Sequence, residues 1–493
     1  MDDRSHFRNL SAATEGRTRD HRRALGTPAE PRPLSLRRNL SWTMAANVTY
    51  AALQYSIVIV LQRLGSDVLL GQFVLGLAVA APIFMSASLK LRHLQATDSR
   101  REFAFGHYLA LRLLTLAAAV VVFVTVVHLR YESTTLVIVL LVGLAKAVES
   151  VGDVFYGLLQ QRERFDRLGK SKILHGVAAV TAMALILKST GDGVAAVAGF
   201  LAARVIVTAA YDIPGGLWVM GSTSSPLAGG SLPSQDRPQW DVLRPTWDWP
   251  VLRRLVWLGL PLGATVFLIQ LNQNVPRYFL EEFRGLRELG IFGAIAGAIA
   301  AGATISEALQ QATAPRLARH YAEGDVDAFR RLLARLIMLC GGLGLVGAAI
   351  AATCGRWILA IVFTPDYARF SHVFVMLMIA AAVLYVCGVL MTTLIAMRIV
   401  HSQLPLLALS ATAALVLSAL LIPRWGMFGA AVSLALSRLP FLLVAVVLIF
   451  RGMRAVRKQT IRREPRSPRA HSADPLHLSE SSIGYALGRG DAA

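Results

Sequence analysis

The sequence predicts an all-α, polytopic membrane protein with about twelve transmembrane helices in two six-helix lobes. Two observations predict helices that cross a membrane. Of the 493 residues, 55% are hydrophobic and only 16% are charged, and apolar runs of roughly 18 to 25 residues recur, close to the length that a helix needs to cross the hydrocarbon core. A third observation, a repeated set of short strings, predicts the two lobes. The apolar runs lack strict alternation, which argues against a β-barrel.

The charge pattern predicts the orientation of these helices. The formal net charge is +20, but Lys and Arg lie mainly at the ends of apolar runs, so they indicate membrane orientation rather than nucleic-acid binding. With the N-terminus in the cytoplasm, the inner loops and the two tails hold most of the basic residues, which is the positive-inside pattern. We therefore expect both termini to be cytoplasmic.

Neither a metal nor a cofactor is predicted, because the three cysteines have no disulfide or metal-ligand spacing. They are Cys340, Cys354 and Cys387, all in or beside apolar segments. The first 36 residues are polar and Arg-rich, which is not the pattern of a cleavable secretory signal.

The apolar runs divide the chain into twelve predicted spans. We expect a disordered basic tail at 1–40, an N-lobe at 41–217, a cytoplasmic linker at 218–252, a C-lobe at 253–450 and a second disordered tail at 451–493. The predicted spans are 42–61, 68–89, 105–128, 134–158, 172–188 and 193–217 in the N-lobe, and 254–276, 287–311, 333–353, 372–397, 404–422 and 427–450 in the C-lobe.

Related strings occur at matching places in the two halves. RLGSDVLLGQF (63–73) lies between spans 1 and 2, and FRGLRELGIFG (283–293) lies between spans 7 and 8. Because six spans separate the two strings, the halves have the same orientation, as in a parallel repeat about an axis along the membrane normal. Two such lobes imply a central cavity and alternating access, which is the architecture of a transporter. The aligned positions, at one offset, are Leu70, Gly71 and Phe73 with Leu289, Gly290 and Phe292.

Further pairs follow in the same order along the chain. GLLQQRERF (157–165) resembles TLIAMRIVH (393–401), and GDGVAAVAGFLAAR (191–204) resembles GMFGAAVSLALSR (426–438). The first pair of strings matches Arg162 with Arg398, and the second matches Gly191 with Gly426. Spans 1 and 7 match Gln54 with Gln273.

The chain also resembles a known family. The stretch RRNLSWTMAANVTYAALQYSIVIVLQRLGSDVLLGQFVLGLAVAAPIFM in the first half resembles bacterial polysaccharide flippases of the O-antigen and capsule type, within the multidrug/oligosaccharidyl-lipid/polysaccharide exporter superfamily. In the second half NQNVPRYFLEEF, QQATAPRLARHYAEGDVDAFRRL and LIPRWGMFGAAVSLALSR are similar to the same family. The resemblance covers about residues 37–450 and implies translocation of an undecaprenyl-diphosphate-linked oligosaccharide across the bacterial inner membrane. The glycan would serve lipopolysaccharide, capsule or exopolysaccharide synthesis, with a polymerase or chain-length protein as an expected partner.

A diphosphate that crosses the low-dielectric core of the membrane needs cations along its path, because they offset the cost of its desolvation. Arg204 lies near the middle of span 6 and Arg438 near the middle of span 12, and they are close to equivalent in the repeat. An Arg inside the membrane costs at least about 2.5–3.5 kcal/mol on insertion scales, so it should face the bundle interior or water. We interpret the pair as one substrate-binding cation per lobe. The alternative is a structural role, such as pairing with Asp212.

Span 4 carries three charged residues on one face. Lys146, Glu149 and Asp153 follow one another at i, i+3 and i+7, within one arc of a helix. We expect Lys146 to bind substrate and Glu149 or Asp153 to carry a coupling ion. The alternative is a self-satisfied Lys146–Glu149 pair.

Span 7 contains QLNQNVPR, in which four amides precede a proline and an arginine. We expect a break at Pro276 and substrate contacts from the polar residues around it; interhelical hydrogen bonding is the alternative. Glu307 in span 8 is a further candidate for ion coupling. The substrate-binding candidates of span 7 are Gln270, Asn272, Gln273, Asn274 and Arg277.

Weaker signals have a structural explanation. Arg63 is expected to extend to the outer interface, and Arg112 to extend toward the cytoplasm. Pro82 is expected to kink span 2. Asn47 and Gln54 of span 1, with Gln310 and Gln311 of span 8, are polar candidates of the same kind as span 7.

Other functions fit the sequence less well than a flippase. A multidrug-type small-molecule antiporter is the first alternative, although a basic interior favours an anionic substrate. A sugar polymerase or membrane glycosyltransferase is a second, and the short outer loops argue against it. The chain contains no G-x-x-x-x-G-K-[ST] motif, so it does not hydrolyse ATP through a P-loop.

Overall fold

The computed structural model describes residues 36–98, 102–221, 244–399 and 401–463, and these ranges contain no β-strand. Short π-helical segments occur at Leu61–Gly65 and Thr208–Asp212, and a 3-10 helix at Pro365–Phe370. The α-helices are Leu36–Val60, Asp67–Ala87, Leu91–Thr97, Phe105–Arg130, Ser133–Gln161, Phe165–Thr190, Gly193–Val207, Ile213–Gly221, Trp249–Ala296, Ala298–Glu323, Val326–Val362, Ser371–Ala396, Gln403–Leu436 and Leu439–Arg463.

Ten helical stretches in the described ranges are long and apolar enough to cross a membrane, and two of them contain two spans each. The stretch Trp249–Glu323 has 75 residues and Gln403–Arg457 has 55, whereas about 20 suffice. The first reverses at Gly285 (φ 82°) and the second at Gly426 (φ 55°), in the left-handed region that glycine adopts without strain. The described residues therefore contain twelve spans, six before and six after residues 222–243.

A side-chain contact demonstrates the second reversal. The hydroxyl oxygens of Ser418 and Ser433 lie 2.8 Å apart, although fifteen residues of continuous helix would separate them by about 22 Å. Spans 11 and 12 are thus an antiparallel pair joined at Gly426.

Several helices are longer than predicted. Helix continues through 36–40 and 451–463, so the prediction of disorder is wrong for these residues. Span 9 begins at Val326, where Asp325 caps the helix by accepting a hydrogen bond from the Ala328 amide at 2.9 Å. The expected disordered tails before residue 36 and after 463, and the linker residues 222–243, lie outside the described residues.

The repeated strings meet at the interface of the two lobes. A methyl group on Gly71 would overlap the carbonyl oxygen of Leu286, and one on Gly290 would overlap that of Asp67. The offset that aligns Gly71 with Gly290 also aligns Asp67 with Leu286, so the two contacts are equivalent in the repeat. Spans 2 and 8 begin side by side around a pseudo-two-fold axis, which confirms the parallel repeat and explains why both strings keep a glycine.

Polar contacts join the lobes at the same end of the bundle. The Tyr367 hydroxyl donates to the Asp67 carboxylate at 2.6 Å, and Arg287 lies 3.6 Å from the other Asp67 oxygen. Arg63 donates to the carbonyl oxygens of Ile361 and Val362 at the end of span 9. Arg63 therefore joins the lobes rather than only extending toward an interface.

Candidate functional site

A polar cavity of about 130 Å³ lies inside the N-lobe. Spans 1, 4, 5 and 6 and the short helix Leu91–Thr97 form its wall. The lining residues are Tyr50, Arg92, Glu149, Gly152, Asp153, Tyr156, Lys172, His175, Arg204, Thr208 and Asp212.

Glu149 is bound by two cations in this cavity. Its carboxylate accepts from the Lys146 ammonium at 2.9 Å and lies 3.7 Å from Arg204. The Arg204 guanidinium also donates to the Tyr50 hydroxyl at 3.4 Å. Arg204 is only 3% exposed, and its ion-pair partner is Glu149. Pairing with an acid, the structural alternative, thus occurs with Glu149 instead of Asp212, which Ser171 and His175 contact.

Asp153 is held at one side of the cavity. Arg92 lies 3.4 Å from its carboxylate and donates to the Gln160 side chain at 3.0 Å. The Arg92 guanidinium also lies over the ring of Tyr156, 5.3 Å from the ring centre. Lys146, Glu149 and Asp153 thus share one region, as their spacing in span 4 predicts. Glu149 contacts Lys146 and Arg204, whereas Asp153 contacts Arg92.

A buried chain of hydrogen bonds links spans 4, 5 and 6. The Asp212 carboxylate accepts from the Ser171 hydroxyl at 2.5 Å and lies 2.9 Å from His175 Nε2, and the hydroxyls of Tyr156 and Ser171 lie 2.7 Å apart. Asp212 ends the π-helical segment Thr208–Asp212, and such segments often occur at functional sites. Sequence reasoning missed this chain because its members come from three spans with no common spacing.

Lys172 is the cation of the cavity that lacks an acidic partner. Its ammonium donates to the Asn47 side chain at 2.8 Å, and no described carboxylate lies within 4 Å of it. Asn47, a weaker candidate from the sequence, thus orients a cavity lysine. Three cations line the cavity together with the carboxylates of Glu149, Asp153 and Asp212, and Lys146 adds a fourth cation beside it through its pair with Glu149.

Arg112 is buried within span 3. It is 1% exposed, and two of its guanidinium nitrogens have no hydrogen-bond partner among the described residues. The expectation that it extends to the cytoplasmic interface is wrong.

The C-lobe holds a second cavity, of about 270 Å³. Spans 7, 8, 10, 11 and 12 form its wall, and these are the repeat counterparts of spans 1, 2, 4, 5 and 6. The lining residues are Ile269, Gln273, Ala303, Ser306, Glu307, Gln310, Leu384, Tyr385, Cys387, Gly388, Met391, Leu407, Arg438 and Phe441.

Arg438 is the cation of this cavity. It is 6% exposed and lies in the turn between the helices Gln403–Leu436 and Leu439–Arg463. Its guanidinium has no hydrogen bond or ion pair with any described residue. The structure thus brings Gln273, Glu307 and Arg438 to one cavity, while Arg204 lies in the other.

The remaining amides of span 7 bond within the protein. Asn272 donates to the Leu407 carbonyl at 3.4 Å, and Asn274 donates to the carbonyl of Gln270 at 2.8 Å. Arg277 donates to the Asn274 side chain at 2.7 Å. Interhelical and local hydrogen bonding, the alternative interpretation, therefore accounts for these contacts.

The predicted break in span 7 is wrong. The helix continues through Pro276, and the non-helical residue lies further along, at Gly285. The helix of span 2 likewise continues through Pro82.

Known proteins with a similar sequence or a similar fold were found by comparison. No family profile matches the chain. The Staphylococcus aureus protein described as capsular polysaccharide biosynthesis protein CapF is 22% identical over 402 residues, which are 81% of this chain and 96% of that protein. A solved lipid II flippase, MurJ, in an inward closed conformation has a TM-score of 0.62 at 10% identity, over 85% of this chain and 90% of its own.

Drug transporters are similar as well. An inward-facing multidrug resistance MATE family transporter of the MOP superfamily has a TM-score of 0.54 at 12% identity, over 86% of this chain and 96% of its own. The chain has the fold of the MOP exporter superfamily. The resemblance of its sequence to polysaccharide flippases is confirmed, and the protein is a multi-pass membrane protein.

Proposed function

We propose that this MOP-fold protein is a flippase that translocates an undecaprenyl-diphosphate-linked oligosaccharide across the bacterial inner membrane. The proposal includes alternating access of the two lobes and cytoplasmic termini. The observation that carries it is the convergence of cations at the N-lobe cavity, where Arg92, Lys172 and Arg204 line one space and Lys172 is bound by an amide rather than by a described carboxylate. Arginine pairs with phosphate oxygens in a bidentate way, and lysine binds them as a point charge.

The contacts of Glu149 suggest how the site changes with substrate. An incoming diphosphate would compete with this carboxylate for Lys146 and Arg204, which now share it. Substrate binding and the state of Glu149 are then linked through the same two cations. This makes Glu149 our preferred residue for ion coupling, ahead of Asp153 and Glu307.

A multidrug-type antiporter is the second candidate, and one groove favours it. Apolar side chains of spans 2, 3 and 7 line a groove of about 450 Å³, with aromatic rings from Phe267, Tyr278, Phe279 and Phe283. Glu281 and Glu282 lie at the same groove, and Arg130, which also lines it, pairs with Glu282 and leaves Glu281 as the carboxylate for a ligand. Aromatic faces with carboxylates suit an amphiphilic cation.

A deletion strain distinguishes the two candidates. The strain is complemented with wild type or with Arg204→Ala plus Arg438→Ala, and lipid-linked glycans and drug sensitivity are measured. A flippase predicts that undecaprenyl-diphosphate glycan accumulates on the cytoplasmic side and that wild type clears it while the double variant does not. A normal lipid pool with changed drug sensitivity would favour the antiporter. Full rescue by the double variant would refute the assignment of these two arginines.

A further inference from the structure

The two lobes differ in how they balance their buried arginine. The offset that aligns Arg162 with Arg398 takes Glu149 of span 4 to Tyr385 of span 10. Both residues line the cavity of their lobe. Arg204 therefore has an acidic partner in the wall, whereas Arg438 has a tyrosine whose hydroxyl donates to the Ile299 carbonyl at 2.7 Å.

The other ionisable groups of the N-lobe cavity are also replaced. The same offset takes Asp153 to Val389. The offset that aligns Gly191 with Gly426 takes Lys172 to Leu407, which lines the C-lobe cavity. The C-lobe thus retains one buried cation and loses the groups that would neutralise it.

A buried cation without a counter-charge is costly, and Arg438, unlike the buried Arg112, lies at a cavity where an anion could reach it. The acid in this cavity, Glu307, has an exposed side chain, and no Arg438 nitrogen lies within 4 Å of it. Arg438 therefore has room for a carboxylate from outside the chain.

Arg438 is the cation of this cavity, and a single cation favours a monoanion. A diphosphate carries more than one negative charge and fits the N-lobe cavity, where several cations converge. One guanidinium matches one carboxylate, which it binds with two parallel hydrogen bonds.

The rest of the wall fits a sugar. Ser306, Gln310 and Thr392 form a hydrogen-bonded row, with Gln310 donating to Ser306 at 2.9 Å and accepting from Thr392 at 3.0 Å. Gln273 faces the cavity with its amide unused by the described residues. The Gln273 amide can bond a sugar hydroxyl group, and apolar side chains such as Leu384 and Phe441 complete the wall against which a sugar ring can pack.

We propose that the C-lobe cavity binds a carboxylate-bearing sugar of the transported glycan, with Arg438 as its counter-charge. The inference rests on the proposed flippase function and narrows its substrate to an acidic glycan. The diphosphate is bound by the N-lobe and the acidic sugar by the C-lobe.

The test uses the full-length protein in proteoliposomes with two lipid-linked oligosaccharides that differ at one sugar, glucuronate or glucose. Wild type is expected to translocate the acidic glycan faster by roughly ten- to a hundredfold, the value of one hydrogen-bonded charge. Arg438→Gln is expected to abolish that ratio, and Arg438→Lys to restore part of it. Glu307→Gln, which removes the acid of the same cavity, is expected to raise the ratio or leave it unchanged, because it removes a repulsion of the bound carboxylate.

A further variant supplies the missing acid. Tyr385→Glu gives Arg438 the partner that Arg204 has, and it is expected to lower the ratio without removing the arginine. The monodispersity and melting temperature of each variant are measured first, and Arg438→Gln alone decides the test if Tyr385→Glu is unstable.

The outcomes separate the two proposals. If wild type moves neither glycan, the flippase function fails. If wild type moves both glycans equally, or Arg438→Gln slows both by the same factor, the flippase function stands and the acidic-sugar inference is refuted. Free glucuronate is expected to leave transport of the neutral glycan unchanged, and stimulation would assign the site to a free anion and overturn the inference.

Discussion

The contact between the two repeats predicts the effect of adding one methyl group. At Gly71 the new Cβ would overlap the carbonyl oxygen of Leu286, and at Gly290 that of Asp67. A backbone oxygen cannot turn aside as a flexible side chain does, so spans 2 and 8 must separate. Overpacking of this kind typically costs about 1–3 kcal/mol.

Gly342→Ala is the matched control for Gly71→Ala and Gly290→Ala. Gly342 also lies in the middle of a span, and its added methyl group would contact nothing within 4 Å. Alanine is the better helix former by up to about 1 kcal/mol, so the control should melt at or above the wild-type temperature. Gly71→Ala and Gly290→Ala should each melt below it. The double variant should lose less than the two separate losses combined, because the first methyl group already separates the helices.

Thermal unfolding in detergent measures these differences. A second readout is maleimide labelling of Leu70→Cys in a chain whose three native cysteines are Ser, since Leu70 is fully buried at this contact. Labelling should be slow in that background and faster when Gly290→Ala is added. If Gly290→Ala melts and labels as Gly342→Ala does, the lobe contact is not the one described here.

Three further outcomes follow from the buried polar groups. Glu149→Gln leaves Lys146 and Arg204 without a carboxylate and should lower the free energy of unfolding by about 1–3 kcal/mol. This is less than for a fully buried pair, because Glu149 is a third exposed. Adding Lys146→Met should recover part of the loss, and additive losses of stability in the double variant would argue against the pair. Tyr156→Phe removes one hydroxyl from the buried chain and should cost about 1 kcal/mol in thermal unfolding; an unchanged midpoint would mean that the bond contributes nothing. Arg112→Met replaces an incompletely bonded buried cation with an apolar side chain and should be neutral or stabilising; strong destabilisation would reveal a partner for Arg112.

Much of the fold was predictable because membrane helices follow from local composition. The limits of the spans depend on apolar runs, and the matching glycines at 71 and 290 reported the repeat directly. The two reversals at Gly285 and Gly426 lie in the gaps predicted between spans 7 and 8 and between spans 11 and 12, where charged residues interrupt the apolar runs. The proline at 276 was misleading because neighbouring spans support a helix that a proline would weaken in isolation.

The candidate site was predictable only where its members share a span. The spacing of Lys146 and Glu149 predicted their contact, because i and i+3 lie on one face of a helix. Lys172 and the His175–Asp212 pair come together from different spans, so no spacing signals them. The repeat offset places Tyr385 at the position of Glu149, and this difference in charge between the lobes is visible only when the two halves are aligned.

Movement of a lipid-linked oligosaccharide across a bilayer is the activity proposed for this chain. The most direct measurement reconstitutes the purified protein in liposomes that contain a fluorescent undecaprenyl-diphosphate oligosaccharide, and follows the fraction that an external glycosidase can cleave. Active protein should raise that fraction from about half toward completion, with Arg204→Gln well below wild type. If the cleavable fraction stays at the level of protein-free liposomes although the protein is folded and inserted, the proposed flippase function is contradicted.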